Sequence, residues 1–169
     1  MTHFSRLAIT IGLTLFLVGL TGCSSTSVPK HRLVNPFVGT GGHGHTYPGA
    51  TAPYGMVQLS PDSRLTGWDG CGGYHYSDSI IYGFSHTHLQ GTGVSDYGDI
   101  LFAPCTQFNR DATNWSDRYA SRFSHTNEEA HAGYYQVYLE DQHIDVELTT
   151  TKRVGIHRYR LDEPDTLSL

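Results

Sequence analysis

The chain has 169 residues and a formal net charge of −5, enough for one domain with a real core and too little for a large multi-domain enzyme. The acidic balance argues against a nucleic-acid partner. Glycine (19 residues) and tyrosine (11 residues) are abundant, as expected of a loop-rich β protein that presents aromatic surfaces to a ligand.

Residues 1–22 carry one fixed positive charge, Arg6, ahead of an apolar run over 7–20 broken only by Thr10, Gly12, Thr14 and Gly19. That run is too short to span a bilayer comfortably. A charged start, a short apolar stretch and small residues at its end read as a secretory signal, outside the folded domain. Leu20-Thr21-Gly22-Cys23 resembles the bacterial lipobox, which implies cleavage before Cys23 and a lipid on its thiol. Acyl chains contribute about 0.8 kcal/mol per buried methylene, and two or more hold stably. Residues 23–33 then form the lipidated Cys and a polar tether. Ser24 rather than aspartate follows the cysteine, which in lipoproteins of Gram-negative bacteria implies delivery to the outer membrane.

Residues 34–73 are dense in Gly, Pro and Thr, which favour loops; long functional loops on a rigid scaffold are the expectation. Strand signals fall at 56–60, 79–84, 99–103, 134–140, 144–150 and 154–160. The clearest alternates Ile144, Val146 and Leu148 with Asp145, Glu147 and Thr149, the period of a half-buried strand. Residues 109–121 are polar, with Trp115 and Tyr119 too sparse to define a helical face. The fold class read from this pattern is mainly β, an antiparallel β-sandwich. The chain stops at Leu169 soon after a strand, an ending expected of a truncated domain.

With Cys23 lipidated, Cys71 and Cys105 remain. An oxidising compartment permits a bridge between them, contributing about 3–4 kcal/mol in the chain-entropy model. The competing reading leaves Cys71, flanked by Gly70, Gly72 and Gly73, in a polar pocket.

Three clusters carry chemistry. Gly39-Thr40-Gly41-Gly42-His43-Gly44-His45-Thr46-Tyr47-Pro48-Gly49 combines close backbone approach with imidazoles that donate, accept or bind metal. It lacks the Lys-Ser/Thr ending of a phosphate-binding loop. Gly67-Trp68-Asp69-Gly70-Cys71 sets a tryptophan beside a carboxylate; the ring packs on the apolar face of a sugar while the carboxylate accepts from hydroxyls. The same pair also reads as a core tryptophan and a turn aspartate. His86-x-His88, followed by Asp96 and Asp99, points two imidazoles to one face of a strand, a spacing that zinc sites use and that hydrogen-bonded polar sites share.

The segments NPFVGTGGHGHTYPGATAPYGMVQLSPD, GWDGCGGYHY, GFSHTHLQGTGVSDYGDI, FSHTNEEAHAGYYQVYL and VELTTTKRVGIHRY occur in this order across 34–159. Together they resemble the N-terminal domain of glycoside hydrolase family 92. The resemblance implies a calcium-dependent, inverting exo-α-mannosidase that pairs an N-terminal β-sandwich, here residues 34–169, with a C-terminal (α/α)6 barrel absent from this chain. Inversion needs one carboxyl to protonate the leaving oxygen and another, about 6.5–9.5 Å away, to activate water. In the family both belong to the barrel, so no catalytic residue is assigned here, and Asp69, Asp96 and Asp99 are left out of those roles. The calcium ligands are likewise expected outside this chain, and no metal ligand is assigned within it. What the resemblance assigns here is substrate contact, by Trp68, Asp69, Cys71, His86 and His88. His125 and Glu128 are expected to organise the domain. Mannose-containing glycans, the membrane through the lipid anchor and the chain's own barrel domain are the expected partners. A glycan-binding lipoprotein without catalysis, and a zinc hydrolase, are the rival readings.

Overall fold

The computed structural model describes residues 27–64, 66–91, 93–164 and 166–169. The expected signal over 1–22, the lipidation residue Cys23 and residues 24–26 of the tether lie outside them. Nine strands and four short 3-10 turns make up the regular structure of the described residues.

The most regular part is a four-stranded antiparallel meander, β6 (Glu128–His131), β7 (Tyr134–Leu139), β8 (Ile144–Thr150) and β9 (Gly155–Leu161). Inward positions of β7 and β8 pair across the strands as Tyr135 with Leu148, Val137 with Val146 and Leu139 with Ile144. All six are buried, so each cross-strand pair is apolar on the covered face. A slip of one residue would turn the whole set to solvent, and this fixes the register.

The second layer is smaller. β1 (Ala50–Thr51), β2 (Gln58–Asp62) and β4 (Gly83–Ser85) form a three-stranded antiparallel sheet in that order. β1 and β2 pack on β8, and β1 also on β7; Ala50, Leu59 and Phe84 face Tyr135, Val137, Val146 and Leu148 across one core. β3 (Ile80–Ile81) pairs separately with β5 (Ser121–Arg122). The fold is thus mainly β, with antiparallel sheets stacked as a sandwich.

The strand expected over 79–84 is two strands that pair with different neighbours, β3 with β5 and β4 with β2. The strand expected over 99–103 does not form. Only Phe102 makes a bridge, to Phe84, because Ile100 turns the chain through a left-handed φ of 58°, which a β-branched residue adopts only under outside constraint. At the other end of the domain, residues 30–33, within the expected tether, make a 3-10 turn against β6. His31 accepts from the Ala132 amide, and Arg32 reaches Glu129 at 3.1 Å.

Glu128 ties the layers together. Its side chain is 1% exposed, and it accepts from Tyr74 (3.0 Å), Tyr135 (2.7 Å) and His125 Nδ1 (2.6 Å). Burial, together with that carboxylate, drives the Tyr74 and Tyr135 hydroxyls well above the ordinary phenol range. His125 stacks on Tyr76 at 4.1 Å. The organising role expected of His125 and Glu128 has this geometry.

Candidate functional site

Three loops meet at one end of the small sheet. The first, 39–49, runs as successive tight turns, with Thr40 N donating to Phe37 O and Gly44 N to Gly41 O. His45 holds a left-handed φ of 52°, and its carbonyl accepts from Gly91 N of the third loop. The second loop contains the 3-10 turn Trp68–Gly70. The third, after β4, carries His86 and His88.

Asp69 is the meeting point of the first two loops. His43 Nδ1–H donates to its Oδ1 at 2.6 Å, and His45 Nε2 stands 3.5 Å from the same oxygen. The His43 hydrogen bond holds the Asp69 carboxyl below its ordinary range, so it is an anion at neutral pH. Trp68 is 61% exposed and packs edge-on to His45 at 5.0 Å. Its ring also crosses Gly93, where a Cβ would fall 2.0 Å from ring carbon. An exposed indole beside an ionised carboxylate offers a sugar an apolar face and a hydrogen-bond acceptor together.

Beside them lies a pocket of about 160 Å³ whose wall includes Asp62, Arg64, Cys71, His88, Asp96 and Tyr97. Its floor is polar and buried. Asp62 Oδ2 accepts from the Ser85 amide at 3.0 Å, while Oδ1 lies 3.1 Å from His88 Nε2. His88 Nδ1–H donates to the Gln58 carbonyl at 2.7 Å, fixing the ring. Gly73 has a φ of +78°, and a Cβ there would come within 2.6 Å of Asp62 Oδ1 and 2.8 Å of His88; the motif needs glycine on both counts. Cys71 and Cys105 are both buried and not bridged to each other. Cys71 lines the pocket, whereas Cys105 sits where its backbone pairs with Ser168.

The structure thus brings Trp68, Asp69, Cys71 and His88 to one region and turns His86 elsewhere. The two imidazoles of His86-x-His88 do not share a strand face: β4 ends at Ser85, and their Nε2 atoms aim at different partners. His86 Nδ1–H donates to Ile100 O at 2.9 Å, leaving Nε2 to accept from His157 Nε2–H at 3.2 Å. His157 Nδ1 in turn accepts from Tyr159 at 2.7 Å. Burial first, and then the neighbouring His86, push His157 down to about 4, so it is neutral in this chain of bonds. Among the described residues, no third ligand joins His86 and His88 in a group with metal-ligand spacing. Among the described residues the group with metal-ligand spacing is instead His43, His45 and Asp69. Sequence reading singled out the loop of His43 and His45 for imidazoles that donate, accept or bind metal, but assigned neither residue to the site and did not join them to Asp69. It also left out Asp62, which nothing local distinguishes from a turn aspartate.

Residues 33–169 match the model of the glycosyl hydrolase family 92 N-terminal domain. The chain is similar to a family 92 α-mannosidase of Bacteroides thetaiotaomicron solved in complex with mannoimidazole, with 42% identity and a TM-score of 0.73, over 81% of this chain and 19% of that one. A family 92 inverting mannosidase of the same organism has 27% identity and a TM-score of 0.68, over 83% of this chain and 19% of that one. A protein of Arthroderma benhamiae named as an uncharacterized secreted glycosidase is 32% identical over 133 residues, covering 76% of this chain and 17% of its own length. The chain therefore spans about a fifth of the length of these relatives.

Proposed function

The chain belongs to glycosyl hydrolase family 92, and from that premise we propose that it supplies the N-terminal β-sandwich of an exported enzyme that hydrolyses terminal α-mannosyl residues of glycans. The observation that carries this reading is the match over 33–169. The polar pocket lined by Cys71 and His88, with the adjoining turn that carries Trp68 and Asp69, supports it: in this reading these residues form one wall of the sugar site, and His86 braces the loop behind it. The general acid and base belong to a C-terminal (α/α)6 domain that closes the opposite side. Reaction occurs with inversion of the anomeric centre. Export follows from the signal over 1–22, with Cys23 as the lipid anchor in the outer membrane; the secreted relative from Arthroderma benhamiae supports the export half of this.

Calcium, the cofactor that the resemblance implies, takes six to eight oxygen ligands. The residues described here do not suit it, since the candidate metal group offers two imidazole nitrogens and one carboxylate. Its ligands in this reading lie in the barrel, and no step is routed through it.

Incubation of the full-length gene product with a glycan ending in α-mannose tests the proposal. Release of mannose, appearing first as the β-anomer by NMR, is the expected result. Glycan capture without any release would instead favour a purely binding lipoprotein.

A further inference from the structure

His43, His45 and Asp69 come from two loops, yet their donor atoms all lie within 4.8 Å of one another. Donors around a tetrahedral zinc ion, with bonds of about 2.0–2.1 Å, are separated by about 3.3–3.4 Å. His45 Nε2 is already 3.5 Å from Asp69 Oδ1, and His43 Nδ1 is 2.6 Å from it. The His43 side chain is 78% exposed, so rotation of its ring can make up the difference.

A second observation points to a ligand. The His45 side chain is 6% exposed, and its Nε2 faces Asp69 Oδ1 at 3.5 Å without a hydrogen bond of good geometry. Native proteins seldom leave a buried polar nitrogen in that condition, and an unoccupied ligand position is one physical explanation. His43 presents Nδ1 to a cation as the Nε2–H tautomer of its ring.

We propose that His43 Nδ1, His45 Nε2 and Asp69 Oδ1 form a three-ligand site for a divalent transition-metal ion of the zinc type. Two imidazoles and one carboxylate select such an ion over calcium or magnesium, which prefer all-oxygen shells. Three protein ligands leave a fourth position open to water or a sugar hydroxyl. The ion would staple the glycine-rich loop to the turn that carries Trp68 and hold the His45–Trp68 contact in place. This site is independent of the glycosidase reading, because metal binding by the chain requires no turnover.

The test is calorimetric titration of zinc into the chain, purified without an added histidine tag and stripped with chelator. One zinc per chain is expected, with no competition from calcium in excess, and cobalt(II) in its place should give the visible bands of a four-coordinate site. His43→Ala and Asp69→Asn should each weaken zinc on the order of 100-fold, since even outer-shell changes cost 10- to 100-fold; His131→Ala should not. Should Asp69→Asn shift thermal unfolding without metal, the exposed His43→Ala decides alone. Substoichiometric zinc, or zinc bound equally well by His43→Ala, would overturn the proposal.

Discussion

In the β6–β9 meander the buried side chains are apolar and alternate: Tyr135, Val137 and Leu139 on β7, then Ile144, Val146 and Leu148 on β8. In the loops and short strands over 39–98 many buried side chains are polar: Thr40, His45, Asp62, Ser63, Ser85 and His88. The first region is held by burial of area, which is tolerant of exact geometry as long as volume and pattern are kept. The second is held by directed hydrogen bonds in a low-dielectric setting, where each missing partner is costly. A scaffold of the first kind can carry a site of the second kind, because its own stability does not depend on the site's directed bonds.

Glu128 joins the two regions, and its removal should break the contrast most severely. Glu128→Ala leaves the buried Tyr74 and Tyr135 hydroxyls without their acceptor, and we expect a loss of about 3–5 kcal/mol in denaturant unfolding. Glu128→Gln, which keeps an acceptor, should cost much less. Asp62→Ala acts within the loop region alone. It strips the acceptor from the buried Ser85 amide, with an expected loss of about 1–3 kcal/mol, and protection of the Ser85 amide in hydrogen exchange should fall while that of Val146 follows only global stability.

The pH dependence sharpens the comparison at the seam where β9 meets the third loop. His157 titrates at about 4 in the fold against an ordinary value of 6.5. Between those values the unfolded chain takes up a proton that the folded chain refuses, so stability falls as pH drops from 6.5 through 4 and is untouched above. The lowered carboxyls of Asp141 and Glu147, with ordinary values of 3.8 and 4.5, act mainly below this window. A Tm loss of several degrees across it is expected, and His157→Gln should flatten it. The smallest effect on stability belongs to Trp68→Ala. The ring is mostly exposed, so unfolding should move by no more than about 0.5 kcal/mol, whereas KM of the full enzyme for an α-mannoside should rise about tenfold.

The same contrast explains how far the sequence could be read. Strict alternation over 144–150 announces β8 with its bounds, because a half-buried strand writes its period into local sequence. β1, β3 and β5 have two residues each, too few to show any period, and 99–103 has strand composition that the turn at Ile100 defeats. At the site, Trp68-Asp69-Gly70-Cys71 is contiguous and therefore visible as a motif. The approach of His43 and His45 to Asp69 is a tertiary event across 26 residues, and no spacing encodes it. His86-x-His88 misleads for the complementary reason: neighbours in sequence, the two rings are parted where β4 ends.

The central claim is that this chain is one wall of a mannoside site whose catalytic carboxyls lie elsewhere. The most direct measurement compares hydrolysis of an aryl α-mannoside, with calcium present, by this chain alone and by the full-length gene product. The account predicts turnover by the full-length protein and none above background by this chain. Turnover by this chain alone would contradict it.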